Sequence, residues 1–201
     1  EKANEACVHL TNAGGDFMGL LCTASWRSLD GHARQAYALL TLIQDPGPKA
    51  PPAIRAWIES LMAETATRMG DMASADAHFR QALTWTPGDN FLLADYGEFL
   101  LDQGRARDAL DLVSADRTSD ASSLIQVAAE NAVNLPEARA DIAEMDARFA
   151  AMAQRGDHVF LREEATYRLH VHHDPAGALS LARQNWAGQR APKDARAYLE
   201  A

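Results

Sequence analysis

The chain has 201 residues and a formal net charge of −9. Alanine is its commonest residue and strand formers are few, so the composition indicates helices. A chain of this length forms one domain or one solenoid. Its cationic side chains form no cluster, and this excludes nucleic acid as the main partner, because phosphate contacts need concentrated positive charge. No apolar run approaches the roughly 20 residues that span a bilayer, so no membrane span is predicted. A basic protein segment or peptide suits the acidic balance better.

The first predicted helix covers residues 1–10. Because the chain opens inside this helix, with Glu1 rather than Met, we expect a processed or truncated piece. A targeting segment such as a signal peptide could have been lost with the part that precedes it.

The two cysteines, Cys7 and Cys22, flank a turn centred on Gly14 and Gly15, and each lies seven residues from the nearer glycine (14 − 7 and 22 − 15). Residues equidistant from the turn of an antiparallel helical hairpin lie side by side, so we expect a disulfide bond. Such a bond implies an oxidising compartment, and therefore a periplasmic or exported protein. The alternative is two small buried thiols in an alanine-rich interface, as in a cytoplasmic protein.

Helices are next predicted over about residues 16–29 and 32–44, and then over 52–69 and 72–84. The loop between these pairs, residues 44–52, contains four prolines and a glycine and cannot be helical. A further pair is predicted over 89–116. The pattern after it indicates helices at 119–134, from Asn134 through Pro136 to Arg155, at 158–172, and from Pro175 to about 187 with Asp174 as its N-cap. A last helix is expected over 192–201.

From Ala56 to Asp116 the sequence repeats itself at a spacing of 34 residues, with small residues at matching points. The matching pairs are Ala63 with Gly97, Gly70 with Gly104, and Ala75 with Ala109. Small residues let antiparallel helices approach closely, while Phe79 and Tyr96 are expected to fill the space between hairpins. This pattern resembles the tetratricopeptide repeat proteins. The segment from Leu161 to His170 and the residues after it resemble a group of bacterial tetratricopeptide proteins of uncharacterised activity, many of them exported.

The resemblance implies an all-α fold, a right-handed superhelix of antiparallel helix pairs. We therefore interpret residues 1–201 as a single repeat domain. Its hairpins are expected at about 16–45, 52–86, 89–116, 119–156 and 158–188, with half-units at 1–12 and 192–201. Such a scaffold binds a protein or peptide, or associates with itself through its open helical ends.

In a tetratricopeptide superhelix the first helix of each hairpin lines a concave groove. Transferred to this chain, the groove residues are Trp57, Glu64, Arg68, Phe91, Glu98, Tyr167 and His170. The three aromatic residues among them are expected to be exposed apolar anchors, with the charged residues orienting a ligand. The alternative is that the aromatic side chains pack against neighbouring helices. Most carboxylates, Glu64, Glu98 and Asp102 included, are expected on solvated helix faces.

The densest group of metal-ligand residues is His170, His172, His173 and Asp174. On one continuous helix His170 and His173 would share a face and could reach one metal ion. The structural alternative is that these histidines lie at a helix C-terminus, where they are favourable without metal. No catalytic triad, phosphate loop or His-Glu-x-x-His pattern is present, so we expect no enzyme and no cofactor. The predicted function is a binding scaffold or adaptor, and the alternative is a metal-binding protein or enzyme centred on His170 and His173.

Overall fold

The structure, a computed structural model, describes residues 2–114 and 119–201 apart from the side chain of Asn4. Within these ranges the regular structure is α-helical throughout, as the composition predicts. The helices are α1 Lys2–Asn12, α2 Asp16–Leu29, α3 Ala33–Leu42, α4 Pro52–Met69, α5 Met72–Trp85, α6 Asn90–Asp102, α7 Ala106–Val113, α8 Asp120–Ala132, α9 Ala138–Arg155, α10 Leu161–His170, α11 Pro175–Gly188 and α12 Pro192–Glu200. None of the helices in these ranges is both long and apolar enough to cross a bilayer.

Helices that follow one another in the chain pack mainly against each other, and they form two compact units, Glu1–Leu92 and Leu93–Ala201. The boundary falls within α6. The prediction of one domain over residues 1–201 stays a prediction. The expected start of the first helix, Glu1, and the expected end of the third hairpin, residue 116, lie outside the described residues.

In the first unit, α2 packs against α3 and α4 packs against α5. Its apolar cluster includes Leu21, Leu40, Ile58 and Met62, all essentially inaccessible to solvent. Small buried alanines such as Ala75 lie on the helix faces that meet, which allows the close approach expected from the repeat. The predicted interior residue Phe79 is also buried.

Local sequence signals end α4 and begin α5. Gly70 adopts a left-handed conformation (φ 79°), which suits glycine because it has no Cβ, and the N–H of Asp71 then donates to the carbonyl of Ala66. The Asp71 carboxylate caps α5 by accepting from the hydroxyl and the backbone N–H of Ser74. These two bonds hold the pKa of Asp71 below its usual value.

The disulfide bond between Cys7 and Cys22 is present, and it joins α1 to α2 with the two Cα atoms 5.3 Å apart. The turn between these helices uses Gly14 at φ 84°, in the left-handed region that favours glycine. The two helices also pack along their length. The alternative of two free buried thiols is therefore wrong for this structure.

In the second unit, α10 packs against α11, α7 against α8, and α8 against α9. Its apolar cluster consists of Val127 from α8, Met145 and Phe149 from α9, Tyr167 from α10, and Val171 directly after α10. Tyr96 of α6 is buried as predicted, in the same unit.

Two helix starts were predicted too early in this unit: α10 begins at Leu161 rather than at residue 158, and α9 does not begin after Asn134. Asn134 does not cap α9, since it has a left-handed backbone (φ 57°) and belongs to the turn that closes α8, where the N–H of Leu135 donates to the Glu130 carbonyl. α9 begins at Ala138. Pro136 disfavours a helical conformation for the residue before it, which opposes a helix that runs on from Asn134 through Leu135.

Candidate functional site

Two of the predicted groove aromatics, Trp57 and Phe91, are exposed. Trp57 on α4 keeps 42% of its surface accessible, and Phe91 in the first turn of α6 keeps 86%. Both belong to the first unit, and Phe91 follows Trp57 by one 34-residue period. The carboxylate of Asp89 accepts from the backbone N–H groups of Phe91 and Leu92, so the Phe91 backbone is held in place while its ring faces solvent. Their role as anchors stays a prediction.

The charged pair expected beside these aromatics is tied into the fold. Arg68 Nη2 donates to Glu64 Oε2 over 2.8 Å, and Arg68 Nη1 donates to Ser28 Oγ over 2.9 Å. Ser28 is buried on α2, and its hydroxyl also lies 3.1 Å from that of Thr65. Arg68 therefore connects α4 to α2, and a substitution at this position would disturb packing as well as any ligand contact.

Tyr167 is not an exposed anchor, and this part of the groove prediction is wrong. Its side chain belongs to the apolar cluster of the second unit, with 5% of its surface accessible and its ring centroid 5.4 Å from that of Phe149. The face of α10 that carries Tyr167 packs against α9. The hydroxyl can donate to Asp146 Oδ1 at 2.9 Å or to the Ile142 carbonyl at 3.2 Å. Burial and the Asp146 carboxylate raise the pKa of Tyr167 well above its usual value.

The expectation that His170 and His173 share a face of one continuous helix is also wrong. α10 ends at His170, and His173 has a left-handed backbone (φ 53°), so these two histidines do not share a helical face. His170 is exposed, with Nε2 3.6 Å from Glu200 Oε2. Asp174 caps α11 by accepting from the N–H of Gly177, as predicted. Within residues 2–114 and 119–201 no group of three or more His, Cys, Asp or Glu side chains is placed to hold a metal ion.

A cavity of about 400 Å³ opens beside Tyr167 in the second unit. His172 lies at its edge, with Nε2 2.8 Å from Asp146 Oδ1 and its ring at 5.1 Å from that of Tyr167. Arg168 lies on the same wall and donates twice to Glu164, over 2.9 and 3.0 Å. His172 is paired with Asp146 and Arg168 with Glu164, so these polar side chains at the cavity are hydrogen-bonded to one another.

A chain of polar side chains that the sequence did not indicate joins three helices of the first unit. The Tyr37 hydroxyl lies 2.7 Å from His78 Nε2, and His78 Nδ1 lies 2.6 Å from Glu59 Oε2. Gln44 donates to the other Glu59 oxygen over 3.0 Å. Glu59 is buried, and its two oxygens both have partners. The arrangement fastens α3, α4 and α5 together, which explains how the fold accepts a buried carboxylate.

The most concentrated set of charges in the second unit lies between α6 and α12. Asp95, Glu98 and Asp102 form a row along α6, which we call the acidic stripe, and Lys193 and Arg196 of α12 lie on it. Lys193 Nζ donates to Asp95 Oδ1 and to Glu98 Oε2. Arg196 binds both oxygens of Asp102 with its two terminal nitrogens, one of them at 2.7 Å, and its Nε donates to Glu200 over 2.6 Å.

The electrostatics of Lys193 and Arg196 follow from these contacts. Burial alone lowers the pKa of Lys193, but the carboxylates of Glu98 and Asp95 outweigh it and the net shift is upward. The hydrogen bonds to Asp102 are the main reason why the pKa of Arg196 is raised. Both cations therefore stay charged. Glu98 and Asp102 remain partly accessible at the surface, as expected, but both carboxylates are paired with α12.

The spacing of the charged residues on α6 and α12 indicates this contact in part. The three carboxylates of the acidic stripe stand at intervals of three and four residues, which places them on one helix face, and Lys193 and Arg196 stand three apart on a second helix. Each row is visible by itself. The pairing of the two rows cannot be seen in the sequence, because 98 residues separate Lys193 from Asp95.

Comparison of the chain with protein-family models, curated proteins and solved structures gave no match. The described residues thus define an all-helical protein whose helices pack largely as sequential pairs.

Proposed function

We propose that this chain is a protein- or peptide-binding scaffold, an adaptor built from tetratricopeptide-like helix pairs. The 34-residue repeat and the packing of successive helices support this proposal. The right-handed superhelix and concave groove that the resemblance implies remain predictions. We propose that the chain binds its partner without catalysing a reaction.

The observation that carries the proposal is the exposure of Trp57 and Phe91 at equivalent positions of two successive repeats. The large residues expected in the interior, Phe79 and Tyr96, are buried. The repeat therefore has some positions with buried aromatic side chains and others with exposed ones. Aromatic side chains are enriched at protein–protein interfaces, where they are frequent anchors of a bound partner. Two such residues on the first unit give a ligand two apolar contacts.

We also propose that the protein works in an oxidising compartment, as a periplasmic or exported protein. The disulfide bond between Cys7 and Cys22 supports this location, because such bonds are rare in the cytosol.

The test is the double variant Trp57→Ala with Phe91→Ala, compared with Leu42→Ala. Leu42 is 80% exposed in the same unit but stands outside the two repeat positions, which makes it a matched control. Partners are captured from the native host, identified, and titrated as purified proteins against each variant. We expect the double variant to keep its helical circular dichroism and to lose affinity about thirtyfold, the equivalent of about 2 kcal/mol. The control should bind like the parent.

Two results would contradict the proposal. Unfolding of the double variant would make these aromatics part of the core. A folded double variant that binds every partner with parental affinity would remove them from the binding surface.

A further inference from the structure

We propose that the disulfide bond between Cys7 and Cys22 is a redox-sensitive switch: its reduction releases α1 from α2 while the rest of the first unit stays folded. α1 is docked on α2 where the bond forms, and undocked where the bond is reduced. The switch is independent of the proposed binding function and gives the bond a conformational consequence.

α1 buries very little of its own surface. Among the side chains of α1 that the structure describes, only Cys7 is buried, with 1% of its surface accessible, and Thr11 is half-buried. The apolar residues Val8 and Leu10 keep 47% and 39% of their surface in solvent. Because burial of apolar surface is the main favourable contribution to helix packing, docking of α1 gains little free energy from it.

Small residues form the contact between α1 and α2. Gly19 of α2 is buried against Thr11, and a Cβ atom at this glycine would lie 1.9 Å from the Thr11 hydroxyl oxygen. Next to this contact, Cys22 of α2 is bonded to Cys7 of α1. Such residues let two helices approach closely, but they have few apolar atoms to bury.

Polar contacts do not replace the missing apolar ones. The Thr11 hydroxyl donates over 3.1 Å to the Cys7 carbonyl, which belongs to its own helix. Among the described side chains of residues 2–12, none forms a hydrogen bond or an ion pair with another helix. A helix of 11 residues is also marginal in isolation. The covalent bond is therefore the main attachment of α1.

The bond acts by restricting the undocked state. It closes a loop with a sequence separation of 15 residues, and the chain-entropy relation converts this into a shift of the docking equilibrium on the order of a hundredfold. Reduction removes this contribution. The turn then leaves α1 free to move, because Gly14 is a glycine at which even a Cβ atom would meet nothing within 4 Å.

The core of the first unit does not depend on α1. Its apolar cluster draws its described members from α2, α3, α4 and Ile43. Leu21 and Ala24 hold α2 in this cluster, and the helical repeat places them on the face of α2 away from Gly19 and Cys22. Release of α1 therefore uncovers one face of α2 and leaves the other packed.

Reduction is a two-electron exchange with a dithiol reductant. One thiolate of the reductant attacks Sγ of Cys22, which is half-buried, whereas Cys7 is buried. The S–S bond breaks, and Cys7 Sγ leaves as a thiolate that takes up a proton. The second thiol of the reductant then displaces Cys22 as a thiol, and the reductant becomes a disulfide.

Backbone order parameters from NMR relaxation of the full chain, measured with and without dithiothreitol, test the switch. We expect reduction to lower the order parameters of α1 from about 0.85 to below about 0.6, while those of α4 and α5 stay near 0.85. Removal of the reductant and reoxidation should restore the order of α1.

Two variants separate the bond from other effects of the reductant. Cys7→Ser has no bond to reduce, so its α1 should be mobile in both conditions. The matched control is Ala6→Ser, which adds a hydroxyl at the neighbouring exposed position and keeps the bond. It should respond to dithiothreitol like the parent.

Two results would overturn the proposal. An α1 that stays as ordered in the reduced parent and in Cys7→Ser as in the oxidised parent would show that its contacts with α2 hold it without the bond. Loss of order in α4 and α5 together with α1 would show that the bond stabilises the whole unit rather than one helix.

Discussion

Gly97 of α6 faces Ile125 of α8 so closely that the smallest side chain would collide with it. A Cβ atom at Gly97 would lie 2.7 Å from Ile125 Cγ2, 3.0 Å from Cγ1 and 3.3 Å from Cδ1. Ile125 is buried and β-branched, so its Cγ2 has little freedom to move away. We therefore expect Gly97→Ala to force α6 and α8 apart.

The size of the effect follows from two opposing contributions. Replacement of glycine by alanine inside a helix gains up to about 1 kcal/mol in helix propensity. Overpacking of a close contact costs about 1–3 kcal/mol. With an overlap of this depth we expect overpacking to win, with a net loss of about 1–2 kcal/mol for Gly97→Ala and more for Gly97→Leu. For a chain of this length, each kcal/mol corresponds to roughly 2–4 °C in Tm.

Urea or thermal unfolding measures this loss, and Gly188→Ala is the matched control. Gly188 is also helical, but a Cβ atom there meets nothing within 4 Å, so the control should be neutral or stabilising by up to about 1 kcal/mol. Ile125→Ala removes the atoms that collide, so Gly97→Ala should cost at least about 1 kcal/mol less in that background. Additive effects of the two substitutions, or a melt of Gly97→Ala that overlays the parent, would refute the close contact.

The other predictions concern the disulfide bond and the buried tyrosine. Cys22→Ser removes the disulfide bond that closes a loop with a sequence separation of 15 residues, and it should lower the free energy of unfolding by about 3 kcal/mol by the chain-entropy relation. Thiol titration of the denatured, unreduced parent should find no free thiol, and two titratable thiols would exclude the bond. Burial and the hydrogen bond to Asp146 raise the pKa of Tyr167, so the unfolded chain ionises first and the parent loses stability as the pH rises above the usual tyrosine value of about 10. Tyr167→Phe lacks this contribution, and its urea midpoint should fall less steeply in that range; identical slopes would count against the assignment.

The helices themselves were largely predictable from the sequence, because their signals are local. α2 and α4 have the predicted bounds, Asp16–Leu29 and Pro52–Met69. Pro52 suits the first turn of a helix, and Gly70 supplies the left-handed residue that ends it. The disulfide bond was predictable for the same reason, since the position of one turn determines which residues of a hairpin lie opposite each other.

The surfaces of the helices depended on tertiary structure. Whether Tyr167 faces solvent or the core depends on the face of α10 that meets α9, and no short sequence pattern settles this. The row of carboxylates on α6 looks solvated until α12, nearly 100 residues later, brings Lys193 onto it. Local periodicity determines which residues share a helix face, whereas the packing of distant helices decides what that face contacts.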